Sequence, residues 1–227
     1  MRLKSFLLLP SALLSLTTTV SASTTLSNST LLSLPGPGTD FDIHSGAILS
    51  PILIPRVPGT PGQTTVQNHL ISFFKTHLPK WRLELHNSTS KTPLSGKKEL
   101  PFMNIIATRD PPWTKDGEVQ RLALVAHYDS KLTPAGFIGA TDSAAPVAMV
   151  LHIVRSLDAA LTKKWERMEV EGAGDGLEED EEGGVQVLLL DGEEAFLSWT
   201  HTDSLYGARW VISLPAHTNI HTLRQEI

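Results

Sequence analysis

Apolar and polar positions along the chain follow helical spacing in some segments and strand spacing in others. After residue 64 the apolar residues recur at helical spacing, and we expect Thr64 or Thr65 to cap this helix. A second stripe predicts a buried helix over residues 147–161, and residues 204–212 are expected to begin a third. The inward-facing positions of the first two helices are Val66, Leu70, Phe73, Phe74, Leu78, Met149, Val150, Ile153, Val154 and Leu157.

Between these helices lie segments with the patterns of strands. Residues 81–86 alternate as a half-buried strand does, and residues 102–108 predict a second strand. Residues 121–127 and 185–190 are nearly continuous apolar runs, which is typical of central strands covered on both faces. Strands alternating with helices predict a layered α/β domain.

Composition narrows the class of protein. The chain has 227 residues, 41% of them hydrophobic, which is enough for one sizeable domain. The net charge of −5 argues against a nucleic-acid partner, which would require a basic face. Because the chain has no cysteine, thiol catalysis is excluded, and any metal must be held by His, Asp or Glu.

The first residues have the pattern of a secretory signal peptide, predicted to span residues 1–22. Two basic residues precede a short apolar run that is too short to span a bilayer, and small residues follow before a cleavage point. Residues 23–44 are expected to form a flexible lead-in. The sequons at Asn28 and Asn87 agree with a secreted, glycosylated protein that has no membrane anchor once the signal is removed.

Residues 169–184 form an acidic segment. It holds eight of the 24 acidic residues of the chain and no basic one. We interpret it as a solvated insertion between a helix and a strand, because its spacing does not match the calcium loop of an EF-hand.

Both apolar runs end in residues capable of chemistry. The run 121–127 ends in His127 and leads into Asp129, while the run 185–190 leads into Glu193 and Glu194. Ligands of α/β sheets gather beyond the carboxyl ends of the strands, so we expect these side chains to converge.

Each of these residues also has a simpler interpretation. Asp142 could cap a helix, the two glutamates could form an exposed pair, and His127 could be a satisfied histidine at a strand end. Taken together, these simpler interpretations do not explain why three charged turns lie at one edge of the sheet. A bound divalent metal would explain it, since a cation neutralises crowded carboxylates, and Asp, Glu and His are all zinc ligands.

Three segments together point to a particular protein family: AHYDSK (126–131), GATDSAAP (139–146) and LDGEEAF (190–196). With DSLYG at 203–207, they resemble the glutaminyl-peptide cyclotransferases (glutaminyl cyclases), which are related to the zinc-dependent aminopeptidases. The resemblance covers residues 45–212 and implies a three-layer α/β sandwich with a mixed, mostly parallel central sheet.

The resemblance also implies roles for individual residues. Asp142 and Glu194 match zinc ligands, and Glu193 matches the catalytic acid/base. Trp199 matches a tryptophan at the border of the substrate pocket. His127 matches a residue that binds a second metal in aminopeptidases, so its role stays open, and Asp129 is expected to orient it.

The implied activity is cyclisation of the N-terminal Gln of peptides and proteins to pyroglutamate, with release of ammonia and one Zn²⁺ as cofactor. N-terminal Glu is a second candidate substrate. The alternative on the same scaffold is a zinc aminopeptidase, which would be a hydrolase.

The last part of the chain departs from the family. In the family, the third zinc ligand is a histidine far downstream of the segment that corresponds to 190–196. Residues 213–227 do not resemble the family, and we interpret them as a divergent tail. His217 and His221 lie in this tail, and neither is assigned as the ligand. We therefore expect an incomplete catalytic domain, and an inactive, truncated remnant is the further alternative.

Overall fold

A computed structural model describes residues 26–115, 119–170 and 183–212. The predicted signal peptide, most of the acidic segment and the tail with His217 and His221 lie outside these ranges. The chain divides into two units, residues 1–36 and 37–227. The described part of the first contains α1 (Asn28–Leu32), which Ser27 caps by accepting the amide hydrogen of Thr30. The predicted domain boundaries stay predictions.

The described part of the second unit contains a four-stranded sheet and three α-helices. The strand order is β1-β2-β4-β3; β1 pairs with β2 and β2 with β4 in antiparallel fashion, whereas β3 and β4 are parallel. The elements are β1 (Arg82–Ser90), β2 (Leu100–Arg109), β3 (Arg121–His127), β4 (Gly184–Leu190), α2 (Pro61–His77), α3 (Ala145–Val170) and α4 (Tyr206–Ile212).

The predicted mixed sheet of an α/β fold is confirmed. Within the described strands, two of the three pairings are antiparallel, so the parallel share is smaller than expected. The directions of β2 relative to β1 and of β4 relative to β3 follow from the connections between these strands. The short segment 91–99 returns β2 beside β1 in the opposite direction, whereas the helical connection through α3 brings β4 beside β3 in the same direction.

Helices cover both faces of β2. Ile105 of β2 belongs to a core cluster that it shares with α2 and α3. On the other face, Phe102 stacks on Tyr206 of α4 with ring centroids 5.3 Å apart, and Asn104 Nδ2 donates to the carbonyl oxygen of Gly207 at 2.8 Å. Since alternate residues of a strand face opposite sides, β2 lies between two helical layers.

Two helix predictions change in detail. Thr60, not Thr64 or Thr65, caps α2, because Pro61 occupies the first helical position and the Thr60 hydroxyl accepts the amide hydrogen of Gln63. In α3, Val150 and Val154 are buried as expected, but Met149 is 53% exposed. With its preceding turn, α3 is long and apolar enough to cross a membrane by length and composition alone, and its buried residues pack in the core of this domain.

The prediction for β3 is wrong in one respect. β4 is a central strand, but β3 lies at the edge of the sheet among the described strands. Leu122 is 62% and Val125 53% exposed, so β3 is not covered on both faces. An apolar run alone does not distinguish an inner strand from an apolar edge strand.

Candidate active site

The parallel pairing of β3 and β4 brings the predicted site residues to one edge. His127, the last residue of β3, is in register with Leu190, the last residue of β4. The pairing continues for one more bond, from the Tyr128 amide to the Leu190 carbonyl oxygen at 2.8 Å. The turns after both strands therefore begin at the same level of the sheet.

The turn after β4 depends on Gly192. Its φ of 65° is left-handed, and a Cβ there would collide with the Phe102 ring. The turn is also tied to the start of α4, because the Tyr206 amide donates to Gly192 O at 2.7 Å and the Leu205 amide to Glu193 O at 3.0 Å. Glu193 and Glu194 thus leave the sheet on a fixed backbone.

Asp129 fixes the same turn from the side of β3. Its carboxylate is fully buried and accepts the amide hydrogens of Glu193 at 3.1 Å and Glu194 at 3.0 Å. The predicted contact with His127 is longer, at 3.4 Å from Asp129 Oδ1 to Nδ1, so it is electrostatic rather than a well-formed hydrogen bond. The firmest contacts of Asp129 are therefore those to the two glutamate amides.

Three side chains converge beyond this edge. One ligand atom from each of His127, Glu193 and Glu194 lies within 4.8 Å of the other two. Glu194 is 4% exposed, and its Oε1 is buried without a hydrogen-bond partner among the described residues. Its Oε2 lies 3.6 Å from Lys131 Nζ.

Asp142 lies beside this group rather than within it. It precedes α3 in the turn Ala140–Ala144 with non-helical dihedral angles, and its side chain is 62% exposed. Its Oδ1 lies 2.9 Å from His127 Nε2, and no hydrogen bond to the first amides of α3 is found among the described contacts. Gly139 shapes this turn with a φ of 48°, since a Cβ there would collide with the Asp142 carbonyl oxygen.

The crowded carboxylates shift the pKa values of the site. Burial would lower the pKa of His127, but the negative charges of Asp129, Asp142 and Glu193 raise it to about 9. Burial raises the pKa of both Glu193 and Glu194, and the neighbouring aspartates raise it further against the opposing charges of Lys131 and His127. Negative charge is thus concentrated where a cation would be stabilised.

These residues fit a bound metal ion. Among the residues that the structure describes, none donates a hydrogen bond to the buried Glu194 Oε1, and burying this oxygen without a partner costs free energy that a cation would offset. The carboxylate and imidazole atoms present are the types that zinc accepts. The described residues therefore form a group that could hold a metal ion.

Arg56 supports the turns of the candidate site and was given no role from the sequence. Its side chain is fully buried, and it donates to the carbonyl oxygens of Tyr128 at 2.5 Å, of Gly139 at 3.1 Å and of Ile138. Burial lowers its pKa to about 10, opposed by the nearby carboxylates, so it stays charged at neutral pH. A single charge within the apolar run ILIPRVP was the signal that could have revealed it.

Trp199 lies on the loop 195–204, which follows Glu194 directly. The side chain is 55% exposed, and no described contact joins it to the glutamates. Asp203, which belongs to the DSLYG motif but was given no role from the sequence, accepts hydrogen bonds from this loop. A cavity of about 350 Å³ lies between β1 and α4, and none of the predicted site residues lines it.

Comparison with known proteins agrees with the fold and the site motifs. The sequence profile described as peptidase family M28 matches residues 104–225. The glutaminyl-peptide cyclotransferase-like protein of Bos taurus is 38% identical over 173 residues, which are 75% of this chain and 40% of the relative. The glutaminyl-peptide cyclotransferase of Bos taurus is 36% identical, over 75% of this chain and 44% of the relative.

Among solved structures, the glutaminyl cyclase of Macrostomum lignano superimposes with a TM-score of 0.59 at 28% identity, covering 80% of this chain and 46% of that one. The resemblance predicted from the motifs is confirmed. The chain spans less than half the length of these relatives. Because the profile covers more than half of the chain, with both glutamates inside the match, the chain belongs to peptidase family M28.

Proposed function

We propose that the chain carries the site of a glutaminyl-peptide cyclotransferase, which converts an N-terminal Gln to pyroglutamate and releases ammonia. The main support is that Glu193 and Glu194 lie on one fixed turn in different surroundings. Glu194 has a buried oxygen with no partner in the described part of the chain, whereas Glu193 is 27% exposed. Two adjacent carboxylates in different environments can perform different tasks. The similarity to cyclotransferases supports this reaction.

Zinc is the proposed cofactor. Glu194 and Asp142 are its proposed ligands by resemblance, while the geometry favours a group of His127, Glu193 and Glu194. When bound, zinc would supply Lewis-acid stabilisation of negative charge on the amide oxygen of the substrate.

Glu193 is the proposed proton carrier. Its pKa is raised by burial and the neighbouring aspartates, which brings it closer to that of a base working at neutral pH. It would take a proton from the substrate α-ammonium group, after which the amine attacks the side-chain amide carbon. As the C–N bond of the side-chain amide breaks, Glu193 would return the proton to the leaving nitrogen, and the extra proton of the new ring nitrogen would pass to solvent, so that ammonia is released. Because both reacting groups belong to one residue, the protein needs mainly to hold the folded conformer.

A zinc aminopeptidase is the second candidate, favoured by the match to a peptidase family. Product analysis separates the two. Cyclisation releases ammonia from a Gln-initiated peptide, whereas hydrolysis releases free amino acid from Leu- or Ala-initiated peptides. A Glu193→Gln variant should lose either activity. A wild-type chain that yields neither product would contradict both functions and agree with a remnant.

The ligand assignment has its own test. Zinc affinity is measured by competition with a chelator for wild type, Asp142→Asn, Glu193→Gln and Glu194→Gln. If Asp142 and Glu194 are the ligands, their variants lose affinity and Glu193→Gln retains it. If the group of His127, Glu193 and Glu194 holds the ion, Glu193→Gln loses affinity and Asp142→Asn retains most of it.

Secretion and glycosylation complete the proposal. Asn28 on α1 and Asn87 on β1 are both exposed, as acceptors of N-linked glycans are. Expression in a eukaryotic secretory host should give protein in the medium whose mass falls on treatment with a peptide N-glycosidase. Asn28→Gln and Asn87→Gln would assign each glycan.

A further inference from the structure

The loop 195–204 is held by one side chain. Asp203 is 3% exposed, and its carboxylate accepts hydrogen bonds from three consecutive amides of the loop. The donors are Phe196 at 2.9 Å, Leu197 at 2.8 Å and Ser198 at 2.8 Å. A carboxylate that satisfies three backbone donors fixes the path of a segment that has no regular secondary structure.

The same carboxylate is anchored to the core. The Tyr206 hydroxyl donates to Asp203 Oδ1 at 2.6 Å. The Tyr206 ring stacks on Phe102 of β2 and meets Phe196 edge-on at a centroid distance of 5.5 Å. We call Asp203 and Tyr206 the clamp. The clamp joins the loop 195–204 to α4, on the face of the sheet opposite α2 and α3.

Both ends of the loop lie at the site. The loop begins directly after Glu194, and the Leu205 amide that follows it donates to Glu193 O at 3.0 Å. Its outer part carries two large exposed side chains, Leu197 at 69% and Trp199 at 55%. Exposed apolar side chains on a rigid loop beside a candidate site are suited to contact a ligand.

We propose that Asp203 is a positioning residue that holds the Trp199 loop in one conformation and thereby sets the binding of the peptide's N-terminal residue. This inference rests on the proposed function for the nature of the ligand. The effect is expected in substrate affinity, because Asp203 touches neither Glu193 nor Glu194 by its side chain. A residue that merely supports the fold would not act through Trp199.

Hydrogen exchange tests the clamp without reference to activity. The amides of Phe196, Leu197 and Ser198 should be protected in the wild-type chain and exchange at least tenfold faster in Asp203→Asn, which has only one acceptor oxygen. The β2 amides should be unchanged. Tyr206→Phe removes one of the four hydrogen bonds to the Asp203 carboxylate. In this milder variant the three loop amides should exchange at a rate between those of wild type and Asp203→Asn. Equal loop protection in all three proteins would overturn the proposal.

A double-mutant cycle tests the route through Trp199. Asp203→Asn should raise the KM for a Gln-initiated peptide roughly tenfold and change kcat less than threefold. In a Trp199→Ala background the same substitution should change KM less than twofold, because its effect is already lost. The proposal would be overturned if the two substitutions changed KM independently of each other, or if Asp203→Asn lowered kcat by the same factor by which it raised KM. Should turnover be absent, the cycle is measured on peptide affinity by calorimetry, so failure of the reaction and failure of the clamp give different results.

Discussion

Asp129 Oδ2 accepts the amide hydrogen of Glu194 at 3.0 Å. This bond joins the segment after β3 to the turn after β4, and the other oxygen of the same carboxylate accepts the Glu193 amide hydrogen. A buried side chain from the segment after β3 therefore holds the backbone of both glutamates in place. A site built in this way is sensitive to a residue that needs no contact with the substrate.

We expect Asp129→Asn to lower zinc affinity and turnover together. The carboxamide can accept only one of the two amide hydrogens, and its NH₂ group would face the other donor. The free energy of unfolding should fall by about 1–3 kcal/mol, the cost of an unsatisfied buried donor. Urea unfolding, chelator competition and product formation measure the three effects.

Asp110→Asn is the matched control. Asp110 forms a two-point ion pair with Arg121 at 2.7 Å, at the opposite end of β3 from His127. Its loss should cost about 1 kcal/mol of stability or less and leave zinc affinity unchanged. If both variants lose zinc affinity to the same extent, Asp129 has no special role in the site.

The elements were predictable because their apolar residues follow the period of each structure. The strand 185–190 and the stripe from Val66 to Phe74 are examples, since burial on one or both faces dictates their composition. The edge position of β3 was not predictable. Its run 121–127 is as apolar as a central strand, and only pairing between distant segments reveals its neighbours.

The site was predictable to the level of its turns. Parallel pairing of two strands that both end in charged residues brings His127 and the glutamates together, as expected. Arg56 and Asp203 were given no role from the sequence, although Asp203 belongs to the DSLYG motif, because their contacts are to backbone groups. Arg56 binds carbonyl oxygens more than 70 positions away in sequence, and no residue-type pattern marks a carbonyl group as an acceptor.

Substitution of Arg56 should show that its hydrogen-bonding geometry matters as well as its charge. Arg56→Lys keeps the positive charge near the carboxylates but cannot bond the carbonyl oxygens of Tyr128, Ile138 and Gly139 at once. We expect roughly 3 kcal/mol of destabilisation, measured by urea unfolding. Arg56→Met, which also removes the charge and leaves nearby carboxylates uncompensated, should be less stable than Arg56→Lys. Equal stabilities of wild type and Arg56→Lys would contradict this account.

The exposed edge of β3 should promote self-association. Leu122 is 62% and Val125 53% exposed, and β4 is the only strand paired with β3 in the described part of the chain. Leu122→Lys should lower aggregation with little change in unfolding free energy, because a charged side chain opposes strand pairing at an edge. Light scattering during concentration measures this. Asn87→Lys, at an exposed position on the other edge strand, is the control for the added charge alone. If Leu122→Lys and Asn87→Lys lower aggregation equally, the edge of β3 has no special role.

The stability contributed by Asp203 should depend on pH in a direction that the structure fixes. Burial would raise the pKa of Asp203, but the hydrogen bonds from the Tyr206 hydroxyl and the three loop amides outweigh burial and hold the pKa below its usual value. The folded state therefore favours the ionised form. The resulting stability is fully present above the unfolded pKa of about 3.9 and is lost as the pH falls through the lower, folded pKa.

Comparison with Asp203→Asn isolates this effect, since the variant lacks only this titrating group. The wild-type chain should be more stable by about 2 kcal/mol at neutral pH, because the ionised carboxylate accepts stronger hydrogen bonds than a carboxamide. The difference should stay constant down to about pH 5 and shrink below about pH 4 as Asp203 gains its proton. Urea unfolding of both proteins across this range measures the difference. A gap that stays constant or widens in acid would show that hydrogen bonding to the ionised carboxylate does not hold the loop.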